Sequence, residues 1–208
     1  MTLQIMLCIA LTFDDGFMEQ VRYAELLYRL DVPATFFVIT GLREYMGRRL
    51  MINEPQVIRQ LVDMGHEVGS HTHTHRDLTK IGIEEIDWEF RASKGIIENL
   101  TGNGDVGVAY PYGSFNDAVI KTASRYFIYG RVMGSFNRWN ETTNKYVLGG
   151  MGVRHLLKLP VKIIGGVRLV NVVFHDEPAW ILKTVINYLR LFDVRFVTVK
   201  EGLKCLGL

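Results

Sequence analysis

Three of the six histidines of this chain fall within five residues, in Gly69-Ser70-His71-Thr72-His73-Thr74-His75. Neutral imidazole is a common ligand for divalent cations, and two rings can share one ion when the chain brings them to one side. A helical turn through the segment would put His71 and His75 on one face at i and i+4, with His73 turned away. A fully extended segment would instead put all three on one side, so the spacing alone leaves the pair open. A second constellation lies near the start of the chain, where Asp14 and Asp15 precede Gly16. Two adjacent carboxylates cannot both point into a dry core, and side chains alternate along a strand, so the two are expected to serve different roles. A solvated turn that caps a helix would explain the pair by itself. His175-Asp176 and Ala109-Tyr110-Pro111-Tyr112-Gly113 each follow a further apolar run.

These groups converge only if the elements beneath them are strands ending at one rim. Apolar runs of strand length occupy 5–13, 34–39, 66–71, 106–110, 127–129, 169–175 and 194–199. Longer segments of helical period lie between them at 18–30, 54–64, 83–100 and 179–192. Val21, Ala24, Leu27 and Tyr28 form an apolar face on the first of these, as do Val57, Ile58, Leu61 and Val62 on the second. Strands alternating with helices indicate a parallel α/β sheet or barrel, and in such folds chemistry collects at the C-terminal ends of the strands. No G-x-G-x-x-G follows the first strand, which argues against an open dinucleotide-binding sheet. The expected architecture is therefore a distorted, incomplete (β/α) barrel of about seven parallel strands. Residues 131–168 are expected to form irregular hairpins, because Gly149, Gly150, Gly152, Gly165 and Gly166 interrupt the apolar pieces there.

With 208 residues, 48% hydrophobic and 22% charged, the chain is expected to form a single domain over 1–208. The formal charge of +2 is dispersed, which argues against nucleic acid as a partner. Cys8 and Cys205 have no metal-ligand spacing and are read as two small buried hydrophobes without a disulfide framework. The apolar N-terminal run lacks a basic region before it and a small-residue cleavage site after it. It is read as a strand, no other run is long enough to span a membrane, and the expected compartment is the cytoplasm.

Taken in order, the four segments resemble the NodB-homology polysaccharide deacetylases of carbohydrate esterase family four. Thr12-Phe13-Asp14-Asp15-Gly16 is similar to the family's first motif, Ser70-His71-Thr72-x-x-His75 to the second and Pro111-Tyr112-Gly113 to the end of the third. The strand ending in His175-Asp176 is similar to the fifth. The resemblance implies a distorted (β/α) barrel and N-deacetylation of amino sugars. It also implies one catalytic divalent ion, zinc before cobalt, nickel or manganese. It further implies that Asp15, His71 and His75 hold the metal, Asp14 is the general base, His175 is the general acid, and the backbone N–H of Tyr112 is an oxyanion donor. Pro111 and Tyr112 then line the substrate site, and Trp139 is the candidate sugar-stacking wall, although no aspartate precedes it as the fourth motif would have it. The chain departs from the family at Ala109, where many members carry an arginine that orients the base, so the partner of Asp14 is unassigned.

The expected function is hydrolysis of N-acetyl groups on an amino sugar, oligosaccharide or polysaccharide. Two alternatives keep the same motifs: a deformylase or O-deacetylase of an intracellular or lipid-linked sugar, and a carbohydrate-binding relative impaired in catalysis, which Ala109 would favour.

Overall fold

The computed structural model describes residues 7–134, 137–138 and 144–208. In chain order the principal elements are β1 (Leu7–Phe13), α1 (Val21–Arg29), β2 (Ala34–Val38), α2 (Pro55–Asp63), β3 (Glu67–Ser70), α3 (Ile83–Thr101), β4 (Val108–Ala109) and α4 (Asp117–Ala123). There follow β5 (Gly130–Met133), β6 (Leu148–Gly152), α5 (Leu159–Ile164), β7 (Val167–Phe174), α6 (Ala179–Leu189), β8 (Val194–Phe196) and α7 (Val199–Gly202). Strands β1 to β7 pair in sequence, all parallel, and β7 returns to β1 through the register Cys8↔Leu169 to Phe13↔Phe174. The result is a closed barrel of seven parallel strands.

Sequence alternation dictates which side chains fill this barrel. In β1, Leu7, Ile9, Leu11 and Phe13 join the large cluster between strands and helices, while Cys8 and Ala10 join a smaller one with Phe37, Ala109, Tyr129, Leu148 and Leu169. The smaller cluster is the barrel interior, and its period of two continues through Thr12 to Asp14, which puts that carboxylate at the mouth. The helices present the faces read from the sequence: Tyr23, Ala24 and Leu27 are buried on α1, and Val57, Ile58 and Leu61 on α2. Helix α2 begins with Pro55 at its first turn, and Gly102, at φ 69°, ends α3 in the left-handed conformation that glycine adopts without a Cβ clash.

Three expectations need correction. In the run 127–129, Phe127 and Tyr129 are buried and Ile128 partly so, but the run precedes the strand, which begins at Gly130, where a Cβ would lie 2.2 Å from the Tyr110 hydroxyl oxygen. The stretch 131–168 is not a set of irregular hairpins, because it supplies two barrel strands, β5 and β6. Gly150 is required rather than disruptive, since a Cβ there would lie 2.9 Å from Val173 Cγ2 and 3.0 Å from Arg131 Cδ. The run 194–199 contributes β8, which is outside the ring of seven and pairs only with the first residues of β1, Leu7 to Ile9, leaving Leu11 to Phe13 of that strand to β2.

Cys8 and Cys205, read from the sequence as two small buried hydrophobes, are joined in a disulfide. A separation of 197 residues hides the pairing in the sequence, and closure of the barrel creates it by bringing the start of β1 to the C-terminal turn. No helix among the described residues is long and apolar enough to cross a membrane.

Candidate active site

The backbone turns after β1 so that both adjacent carboxylates reach one cleft, where Asp14 Oδ2 lies 4.0 Å and Asp15 Oδ1 3.6 Å from His71 Nε2. Asp15 takes φ 72° and Gly16 φ 75°, where a Cβ on Gly16 would lie 2.8 Å from Val38 Cγ1. Of the six non-glycine residues at positive φ among the described residues, four are at this rim: Asp15, Thr72, His75 and Tyr112. Such conformations cost about 1–3 kcal/mol each and persist only where surrounding contacts enforce them.

The histidine segment is neither helical nor extended. After β3, Thr72 at φ 66° reverses the chain, its hydroxyl accepts the His75 N–H at 3.0 Å, and buried Glu89 of α3 accepts the N–H groups of His73 and Thr74 at 2.8 Å each. The turn sends His71 and His75 inward. His73 goes elsewhere, with Nδ1 2.9 Å from Thr40 Oγ1 and its ring edge-on to Trp88. His71 donates Nδ1–H to the Ala109 carbonyl at 2.8 Å, which leaves Nε2 with a lone pair facing the site. That atom lies 3.6 Å from Asp15 Oδ1 and 3.3 Å from His75 Nε2, and His75 Nε2 is 3.5 Å from the same Asp15 oxygen. One ligand atom from each of the three lies within 4.8 Å of the others.

Burial, foremost, holds both imidazoles down to a pKa of about 4, so they are neutral near pH 7. Burial and then the charge of Asp14 push Asp15 up to about 6. Three such ligand atoms gathered in a buried site, one of them on a carboxylate, suit a cation placed among them. One carboxylate and two imidazoles also leave open positions on such an ion, as a catalytic site needs. The donor set therefore fits a divalent metal.

Asp14 is held by a residue the sequence reading did not identify. Arg131 of β5, 1% exposed, places Nη2 2.5 Å from both carboxylate oxygens of Asp14, while its Nη1 lies 3.2 Å from Met133 Sδ and its carbon stands over the Phe37 ring. Burial alone would raise the Asp14 pKa, but Arg131, His71 and His175 together hold it below the ordinary carboxylate value. Ala109 and Arg131 are register partners on adjacent strands. The guanidinium thus stands one strand over from the family position, at the same height. The one available signal was an arginine inside the short apolar run Gly130-Arg131-Val132-Met133, where an unpaired cation would be prohibitively costly.

His175 follows β7, with a half-exposed ring whose Nε2 is 3.6 Å from Asp14 Oδ2. Its backbone is fixed by Glu177, which accepts the His175 N–H at 2.7 Å, and the Gln20 side chain donates to the Asp14 carbonyl at 2.7 Å. Tyr112, φ 60°, is 65% exposed and packs against His75 with ring centroids 5.0 Å apart. Pro111 is buried and, unlike Tyr112, does not line the cleft. Asp14, Asp15, His71, His75, Tyr112, Arg131 and His175 line one cleft of about 310 Å³, together with Tyr45 and Met133. Trp139 lies outside the described residues.

The family model described as polysaccharide deacetylase matches residues 7–129, more than half of the chain. The chain belongs to this family. Among polysaccharide deacetylases, the peptidoglycan-N-acetylglucosamine deacetylase PgdA of Listeria monocytogenes is 28% identical over 195 residues, which is 93% of this chain and 38% of that protein. A chitooligosaccharide deacetylase of Sinorhizobium fredii is 34% identical over 121 residues, 56% of this chain and 52% of that one. The chain thus spans only part of the length of these curated relatives. The Xyl-CE4 domain of a multidomain xylanase from the hindgut metagenome of Trinervitermes trinervoides shares the fold, with a TM-score of 0.68 at 24% identity, covering 98% of this chain and 92% of that one.

Proposed function

We propose that this polysaccharide deacetylase hydrolyses the N-acetyl group of an amino sugar in an oligosaccharide or polysaccharide, with a divalent metal, zinc foremost, held by Asp15, His71 and His75. The observation that carries the reading is the cluster of Asp15 Oδ1, His71 Nε2 and His75 Nε2 within 4.8 Å. Bound there, the ion would polarise the amide carbonyl and acidify water. Asp14, fixed by Arg131, takes the proton from the attacking water. The Tyr112 amide N–H donates to the oxygen that gains negative charge as the carbonyl carbon becomes tetrahedral. His175, on the open side of the cleft, gives its proton to the nitrogen as the C–N bond breaks, so that an amine leaves instead of an amide anion. Acetate and a free amino sugar are the products.

Ala109 favoured a relative impaired in catalysis, and Arg131 removes that argument by supplying the cation that Ala109 lacks. The test is to measure metal content and acyl release together. Protein loaded with zinc should release acetate rather than formate from N-acetylated glycans, and His71→Ala should lose both metal and turnover. Full metal content in His71→Ala, or no acetate from any such glycan, refutes the proposal.

A further inference from the structure

A second cavity of about 500 Å³ opens beside the cleft and shares Met133 and His175 with it. Its volume falls within the range of about 300–1,000 Å³ typical of small-ligand sites. Gly134, Gly150 and Gly152 line it, and a Cβ at Gly134 or Gly152 would meet nothing within 4 Å, so these positions leave the groove open. Its opposite wall is the 3-10 turn Val153–Lys158, which follows β6 at the same rim as the catalytic groups because Gly152 is the register partner of Val173, two residues before His175. Leu156 anchors this turn in the core, while Arg154, His155 and Lys158 are exposed and line the groove. Residues three apart eclipse in a 3-10 helix, so His155 and Lys158 lie over one another. Among the described residues, the side chains of these three make no hydrogen bond or ion pair. The one carboxylate lining the groove among the described residues is Glu177, whose Oε2 already accepts the His175 N–H.

We infer that this groove is a subsite for an anionic group, carboxylate or phosphate, carried by the glycan next to the sugar that is deacylated. The inference rests on the deacetylase reading for its direction. His175 protonates the departing amine, so the sugar lies on the His175 side of the cleft, and the groove begins at His175. The acyl group leaves from the other side. The anion therefore belongs to the saccharide and not to the acyl group, which makes the preferred substrate an acidic glycan. Arg154 supplies a fork for two oxygens of one anion and Lys158 a second fixed positive charge.

Titration calorimetry on the intact chain tests this with three oligosaccharides of equal length: a neutral N-acetylglucosamine oligomer, one alternating with a uronic acid, and one bearing a phosphate. At least one anionic ligand should bind about tenfold tighter than the neutral one, the scale of two exposed ion contacts, and the advantage should shrink in high salt. Whichever anionic ligand gains names the group. Arg154→Ala with Lys158→Ala should bind all three ligands alike, and Lys158→Glu should disfavour the anionic ones, with near-ultraviolet dichroism unchanged in both. Equal affinities in the parent, or a preference that survives loss of both cations, overturns the inference. Acetate release from the same ligands reports separately on the reaction: an anion preference without acetate sinks the deacetylase reading and leaves the subsite, while acetate release with no preference does the reverse.

Discussion

Asp14 owes its orientation to Arg131, and the pair is buried at both ends, with side chains 4% and 1% exposed. Lysine would keep the charge but not the planar group that meets Asp14 through Nη2 and Met133 through Nη1, so Arg131→Lys is expected to lower kcat about a hundredfold with little change in KM. Arg131→Ala leaves a buried carboxylate unpaired and should cost about 3–5 kcal/mol of folding stability, readable in urea titration. A different buried acid serves the fold. Glu67, at the start of β3, accepts from Thr35 Oγ1 at 2.8 Å, Tyr129 Oη at 2.6 Å and the Lys200 N–H at 3.0 Å. Burial nevertheless raises its pKa above the ordinary value of 4.5. A raised acid binds more protons in the folded than in the unfolded state. Its contribution to stability is full below pH 4.5 and is lost as pH climbs through the folded value. Thermal melts from about pH 5 to about pH 8 should show Glu67→Gln gaining on the parent. A constant difference across that range would show that Glu67 does not titrate as its burial requires.

The placement of Arg131 is decided by three adjacent strands. Ala109 on β4 leaves room beside it, and Gly150 on β6 leaves room on the other side, since a Cβ there would come within 3.0 Å of Arg131 Cδ and of the Val132 carbonyl oxygen. Gly150→Ala is therefore expected to lower both turnover and stability, the latter by about 1–3 kcal/mol as an overpacked site does. Gly152→Ala, where the added carbon meets nothing within 4 Å, is the control for stability and should melt as the parent does. If the arginine is interchangeable between register partners, Ala109→Arg placed in the Arg131→Ala background should regain at least about tenfold of the lost kcat. No recovery in a folded double variant would show that the strand of origin matters beyond its height at the rim. The histidine turn makes a parallel case: the i, i+4 spacing of His71 and His75 was visible, but the reversal at Thr72 that Glu89 secures was not, because its partners come from a helix 15 and 16 residues away.

For the molecule as a whole, the rim carries the chemistry and the floor carries the closure. Val199 and Lys200 donate their N–H groups to Thr35 and Glu67, and Leu206 packs into the interior cluster beside Cys8. The disulfide from Cys8 to Cys205 ties this floor to the first strand. Cys8→Ser with Cys205→Ser should lose about 2–4 kcal/mol. A thiol reductant should lower the melting temperature of the parent but not of the double serine variant. Equal melting of parent and variant without reductant would show that the bond contributes nothing to stability. Disulfides persist in oxidising compartments and are rare where thiols are kept reduced, so a thiol count on protein from its own cells reads the compartment directly.

The sequence by itself determined the alternation of strands and helices, the apolar faces of α1 and α2, the Asp-Asp pair at the end of β1 and the histidine cluster after β3. All of these are local patterns, set by the periods of 2 and 3.6 and by glycine and proline at the breaks. Tertiary structure alone decided what depends on closure of the barrel: that Arg131 takes the place left by Ala109, that a glycine-rich segment is a barrel strand, and that Cys8 meets Cys205. Each of these is a meeting of residues far apart in the chain, and no period along a single segment encodes which distant strand will lie beside it.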